Sequence, residues 1–288
     1  MKAESEDQWL YTISSKHKLI DFNFKELWRY RDLLLLFVKR DVITVYKQTI
    51  LGPLWYLIQP LFTSIIFTVI FNDMAGIPTG VAPAFLFNLA GITSWNYFKQ
   101  CLMGTSNTFN RNQGIFGKVY FPRAIMPMSV VISNLIKFGI QLIVFIGFYF
   151  FYVLVKDSEI MPTRSLLLFP VLILIMALFG LGLGMIISSM TTKYRDLTFL
   201  VTFGVQLLMY ASAVMYPVSF FKEKLPSIAW IVEYNPMTTV IEAFRHMTLG
   251  VGDYSIPKLI YALSVSLGLF VIGLIIFNKT EKSFIDTV

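Results

Sequence analysis

Charge is scarce in this chain. Asp, Glu, Lys and Arg make up 14% of its 288 residues, while 56% are hydrophobic and mean hydropathy is +0.67. An average soluble domain is about one quarter charged, so a water-soluble enzyme of this composition would lack the polar surface it needs. Disorder is excluded for the same reason, because disordered chains are polar and highly charged. Cysteine is nearly absent: Cys101 stands alone, which rules out an internal disulfide and any metal site built from several cysteines. Histidine is limited to His17 and His246, far apart in sequence. Catalytic signatures are missing too. Gly114-Ile115-Phe116-Gly117-Lys118 is too short for a phosphate-binding loop and runs into Val119 rather than Ser or Thr. No His-Glu-x-x-His helix and no Gly-x-Ser-x-Gly elbow occurs. The first fifty residues are mostly polar and charged, so a signal peptide is not expected.

What the chain has is long apolar runs. A helix needs about 20 apolar residues to cross the roughly 30 Å hydrocarbon core of a bilayer. Six stretches meet that length: Leu51 to Phe71, Ala84 to Met103, Ile125 to Val155, Leu166 to Met190, Leu197 to Tyr216 and Leu259 to Phe277. Only the second and third carry a charge, Lys99 and Lys137 respectively. The pattern predicts an all-α membrane protein with six transmembrane helices. An even number places both termini on one side. Sixteen Lys and Arg residues fall on that side and five on the other (Lys156, Arg164, Lys222, Lys224 and Arg245), which predicts cytoplasmic termini. The net charge of +7 therefore reads as topology signal and contact with anionic lipid rather than as a nucleic-acid surface.

Between these runs the punctuation is informative. From Phe24 to about Gln48, apolar Phe24, Leu27 and Trp28 recur among Lys25, Glu26, Arg29, Lys39 and Arg40, which predicts an amphipathic helix in the cytoplasmic interface. Pattern alone leaves it equally an anchor or a moving part. The last outer connection, 217–257, is long yet holds apolar pieces. Asn235 suits an N-cap, Pro236 the first helical position and Gly250 the stop, so a helix of about three turns, too short to cross, is expected there. Glu242 and Arg245, three apart, can pair on its face. Gly180 and Gly184 give the fourth run a small-xxx-small face for close helix approach, within the chain or between subunits.

Charge-free spans argue against a proton or ion relay, so the chain shows no energy source of its own. Lys99 sits near the cytoplasmic end of its run, where it either snorkels to headgroups or contacts an anionic substrate. Lys137 is expected to be buried against a partner group or a water-filled cavity. Aromatics reach 16%. Tyr56 and Tyr216 lie near run ends and fit an interfacial belt, while Trp95, Tyr97 and Tyr210 lie deeper. Rings with a polar tip can also stack on sugars and bond their hydroxyls, so these five are the candidate lining of a glycan pathway.

Four stretches together resemble one family. They are Tyr46-Lys47-Gln48-Thr49-Ile50-Leu51-Gly52-Pro53-Leu54-Trp55 leading to Pro60, Lys118-Val119-Tyr120-Phe121-Pro122-Arg123 leading to Pro127, Tyr194-Arg195-Asp196, and Tyr234-Asn235-Pro236-Met237 leading to Glu242-Ala243-Phe244-Arg245 and Gly250. Their order and spacing across nearly the whole chain resemble the permease subunit of bacterial ABC polysaccharide exporters, the type-2 ABC family that moves O-antigen, capsule and teichoic acid chains. The resemblance implies a non-enzymatic inner-membrane permease. It would work as a homodimer with two separate nucleotide-binding ATPase subunits, which carry the ATP and magnesium; this chain itself would bind no cofactor. It implies a cytoplasmic lead-in and interfacial gate helix over 1–49, with Trp28, Arg29 and Arg31. A six-helix domain over 50–288 would follow, with an ATPase-coupling region at 105–122 and re-entrant helices at 218–250. Arg111, Phe116, Lys118, Tyr120 and Arg195 are the implied coupling residues, and a lipid-linked glycan is the implied substrate. The alternatives are a permease of the same architecture for drugs or lipids, a membrane enzyme acting on lipid-linked intermediates, and an ATP-independent channel.

Overall fold

The computed structural model describes residues 28–47, 52–116, 118–119, 121–194 and 196–285. All its regular structure is helical. A helical turn at Trp28 and Arg29 leads into α1 (Arg31–Lys47). Helix α2 (Trp55–Phe67) continues as a π-helical segment, Thr68–Met74. Then come α3 (Ala84–Ser106), the short α4 (Thr108–Phe116) and the long α5 (Ile125–Val155). A 3-10 turn (Arg164–Leu168) opens α6 (Phe169–Lys193), followed by α7 (Leu197–Tyr210). Three short helices, α8 (Val218–Lys224), α9 (Ala229–Glu233) and α10 (Pro236–Leu249), precede α11 (Ile256–Ile285).

Among the described residues, four helical stretches are long and apolar enough to cross a bilayer: Trp55–Met74, Ile125–Val155, Arg164–Lys193 and Ile256–Glu281. The other two expected crossings differ from them for separate reasons. Helix α3 has 23 residues, enough for about 34 Å, but Asn88, Thr93, Ser94 and Thr105 dilute its hydropathy. Those four side chains are fully enclosed. The helix lies at the centre of the bundle, packed by α2, α5, α6 and α10, and a polar side chain costs little at membrane depth when protein rather than lipid surrounds it. The fifth run is a correction to its boundary. Helix stops at Tyr210, and Ala211 to Tyr216 form an irregular segment whose middle is buried, so α7 spans only about 21 Å.

Glycine decides how tightly the core helices meet. A Cβ at Gly180 would sit 2.8 Å from Cys101 Cβ, and one at Gly184 would sit 2.5 Å from Thr105 Cβ, so both press against α3. One at Gly182 would fall 2.6 Å from the Leu269 carbonyl carbon, because α6 and α11 touch backbone to backbone where Gly182 meets Gly273. The small-residue face is thus spent inside the chain, as a three-helix contact among α3, α6 and α11.

The hydrogen bonds sort the loops into two ends. At one end, Thr191 Oγ1 donates to the Ser106 carbonyl (3.3 Å), Arg123 reaches Glu281, and Phe37 of α1 meets Phe121 with ring centroids 5.8 Å apart. At the other, the Thr163 amide donates to the Met247 carbonyl (3.0 Å) and Gly80 abuts Val251. We refer to these as the α4 end and the α10 end.

Candidate functional site

At the α10 end the local sequence dictates the start and stop of α10. The Asn235 side chain accepts from the Met237 amide at 2.9 Å, Pro236 needs no partner in the first turn, and Gly250 adopts φ 71° beyond the last residue. That frame aims Arg245 into the core. Its side chain is 0% exposed. Nη1 lies 3.0 Å from Glu242 Oε1, a pair that sequence spacing predicted. The other donors go to main-chain carbonyls: Nε to Phe87 (3.2 Å), Nη1 to Ala213 (2.9 Å) and Nη2 to Val214 (2.6 Å). The guanidinium carbon also lies 3.5 Å from the Phe87 ring centroid. A planar five-donor cation is the side chain that can serve several carbonyls converging from different directions.

This hub explains why the chain after α7 can be irregular and buried. Ala213 holds φ at 52°, which costs free energy for a residue with a Cβ, and Ser212 to Met215 are enclosed. Buried carbonyls outside a helix need donors, and Arg245 supplies them. Glu242 completes the hub, since its second oxygen accepts the Asp253 amide at 2.9 Å. Asn235 adds a tie from Nδ2 to the Ala211 carbonyl at 3.0 Å. On α3, Gly91 makes room, because a Cβ there would lie 2.7 Å from Arg245 Nη2.

At the α4 end, Thr105 to Arg123 is fastened to three helices. Phe109 stacks on Phe277 of α11 with centroids 4.6 Å apart, and its amide points at Ser188 Oγ of α6, 3.5 Å away. Phe116 is buried, with its ring 5.9 Å from that of Phe121 and 5.1 Å under the Arg123 guanidinium. Arg123 is 5% exposed. Its Nη1 donates to the Glu281 carbonyl (2.9 Å) and Nε lies 3.7 Å from the Glu281 carboxylate. Burial lowers the Arg123 pKa from its usual value, and the Glu281 charge works in the opposite direction. Arg111, Gln113 and Lys118 point outward. Helix α1 leans on this region through Phe37, whose ring meets Phe121, while Trp28, Arg29 and Arg31 stay exposed, with Arg31 5.5 Å over the Trp28 ring.

Residues 32–249 match the family described as ABC-2 type transporter. The chain belongs to the ABC-2 type transporter family. It is also similar to the O-antigen export system permease protein RfbA of Klebsiella pneumoniae, with 28% identity over 257 residues covering 88% of this chain and 94% of that one. RfbA of Myxococcus xanthus is 26% identical over 267 residues, or 92% of this chain and 98% of its own. As an ABC-2 transporter with several apolar spans, this is a multi-pass membrane protein.

The ABC-2 bundle places the expected residues in three distinct environments. Trp95 and Tyr97 are each 2% exposed and pack on Phe98 (5.3 Å between centroids) and Phe138 (5.1 Å), so within one chain they are core, not open lining. Tyr56 is half-buried beneath Lys137, whose Nζ lies 5.2 Å from the ring and donates to Asn134 Oδ1 at 2.9 Å. Tyr210 is 48% exposed, and the Tyr216 hydroxyl donates to its carbonyl. Lys99 is exposed. Phe116, expected as a coupling contact, is buried at the end of α4 rather than pointing outward. Tyr120 and Arg195 lie outside the described residues, as do residues 1–27 and 48–49 of the expected 1–49 lead-in and gate helix.

Sequence reasoning missed two features. Asn88 donates to Thr68 Oγ1 (3.1 Å) and Asn72 Oδ1 (2.7 Å), pinning the π-helical segment of α2 against α3. Its signal was a lone amide in an apolar run. The tie from Arg123 to Glu281 joins residues 158 positions apart, and no local pattern announces it.

Proposed function

We propose that this chain is the membrane-spanning permease subunit of an ATP-driven exporter of a lipid-linked polysaccharide, O-antigen or a similar glycan, across the bacterial inner membrane. The observation that carries the reading is near-full-length similarity to O-antigen export permeases, on a chain whose ABC-2 match spans 32–249. The same relatives make export of drugs or other lipids the weaker reading.

In this reading the chain crosses six times, counting the enclosed α3 and the short α7, with the α4 end and both termini in the cytoplasm. Residues 1–49 form the lead-in and gate helix, 50–288 the transmembrane domain, 105–122 the coupling region and 218–250 the re-entrant helices. Two copies pair, and two ATPase subunits carrying ATP and magnesium dock below. Outward-pointing Arg111 and Lys118 support that docking site. Among the apolar faces left for partner, substrate or lipid are those of α2 and α7. Trp55, Phe62, Phe199, Phe203 and Tyr210 are all exposed there. Tyr56, Tyr210 and Tyr216 are the aromatics positioned to meet sugar rings. ATP binding closes the ATPase pair, and the bundle state that the closed pair prefers becomes the populated one.

The test is transport in vesicles. Chain and ATPase are reconstituted together with radiolabelled polysaccharide-linked lipid extracted from the source strain. ATP-dependent appearance of label on the far side is expected. Transport that persists without the ATPase would replace this reading with the channel.

A further inference from the structure

Helix α3 is packed by α2, α5, α6 and α10, yet one stripe near its α4 end stays open. The stripe is Asn96, Lys99, Gln100 and Met103, spaced i, i+3, i+4 and i+7 on a single face. Lys99 is exposed and the other three are half-buried. Lys99 stands about 10 Å, and Asn96 about 15 Å, from the end of the helix at Ser106. Among the described residues, no carboxylate pairs with Lys99. One turn deeper, Thr93 is fully buried and its Oγ1 has no partner among the described residues. Exposed faces elsewhere are oily, with Ile65 and Ile66 on α2 and Phe199 and Leu200 on α7. A lysine stem can carry its charge to the headgroups, but the short Asn96 side chain cannot follow it from that depth. An amide with no partner is costly against hydrocarbon and cheap against water. The stripe therefore faces water.

We propose that this stripe is an anion-attracting wall of the passage, and that the exported polysaccharide is acidic, with carboxylates or phosphodiesters in its repeat. Lys99 is the specificity-determining residue, and the Asn96 and Gln100 amides beside it meet sugar hydroxyls. The proposal rests on the exporter reading above for what passes the wall. The physical argument is uncompensated charge. A fixed cation in water beside low-dielectric walls gathers anions and repels cations. A neutral glycan gains nothing from it, since rings and amides alone can hold its hydroxyls and apolar faces. A phosphate at the lipid end passes the stripe once per chain, whereas charges in the repeat meet it at every step. A solvated lysine also attracts weakly, so each unit is released as the next arrives. Two paired copies bring two such lysines to the passage.

Two measurements test it, on the full chain. The first needs no ATPase. Asn96→Cys and Gln100→Cys are made separately with Cys101→Ala, and the purified chain in liposomes meets an anionic or a cationic methanethiosulfonate reagent on both faces. Both cysteines are expected to react, with the anionic reagent favoured about fivefold over its rate in the same variant carrying Lys99→Gln. Cysteines that do not react, or a preference indifferent to Lys99, overturn the proposal. The second uses the vesicle system with its ATPase and two probes: a lipid-linked polysaccharide with a hexuronate in its repeat, and the same material after its sugar carboxyls are reduced to alcohols. Lys99→Gln is expected to slow the uronate chain about fivefold and the reduced chain less than about twofold, while Lys99→Arg keeps most of the wild-type rate. Equal slowing of both probes assigns Lys99 to the phosphate of the lipid end and overturns the acidic-glycan assignment, as does slowing of neither. Wild-type chain that moves neither probe with its ATPase overturns the exporter reading, and the labelling alone then decides whether the stripe is a hydrated path for anions.

Discussion

Glu242 and Arg245 form a 3.0 Å ion pair with side chains 3% and 0% exposed, and between them they bind backbone from three other segments. Taking both charges out of water is costly, and the pair is tolerated because each remaining donor and oxygen has a main-chain partner. Removing one member leaves the other charged, buried and alone. Arg245→Met is therefore expected to destabilise the bundle by about 3–5 kcal/mol, read as a lower melting temperature in detergent. Adding Glu242→Leu to that variant should recover part of the loss.

Glycine contacts give a graded prediction. Gly182→Ala forces backbone apart at the α6–α11 contact and should cost about 1–3 kcal/mol. Gly139 and Gly204 have open space where a Cβ would stand. Alanine at either should leave thermal stability within about 0.5 kcal/mol of the parent.

Arg111 and Phe116 separate docking from folding. Arg111 points outward, so Arg111→Glu should weaken capture of the ATPase in a pull-down and leave the melting temperature in place. Phe116 is 7% exposed and rings the Arg123 tie. Phe116→Ala should therefore lower stability by about 3–5 kcal/mol and reduce capture only as a consequence. An equal melting temperature in both variants would show that Phe116 is not the anchor described here.

Cys101 is fully enclosed between α3 and α6. A maleimide added to the folded chain in detergent should label it at a small fraction of the rate seen after denaturation, since reaction requires access to the sulfur. Equal rates would mean that the α3 packing shown here opens freely.

Asn88 holds the π-helical segment through two side-chain bonds. Asn88→Ala should cost about 1–3 kcal/mol by removing both. Hydrogen exchange should then rise over 68–75 with little change in α6.

Composition, run length and helix punctuation settled the membrane class, the places of the long helices and the whole of α10, because those depend on local chemistry. Asn235, Pro236 and Gly250 act within one turn of themselves, and Glu242 needs only a three-residue spacing to find Arg245. Which residues face protein and which face lipid was decided only in three dimensions. Trp95 and Tyr97 look like deep polar-tipped aromatics until the bundle encloses them, Tyr97 against Phe138 of α5, and Arg245 counts as an outer-loop charge until α3 and the 213–216 carbonyls surround it. The end of α7 at Tyr210 belongs to the same kind of fact. An apolar run continues through Met215, but a buried arginine from another helix offers its carbonyls better partners than another turn would. Long-range ties such as Arg123 to Glu281 have no sequence period, since they arise where the ends of separate helices happen to meet.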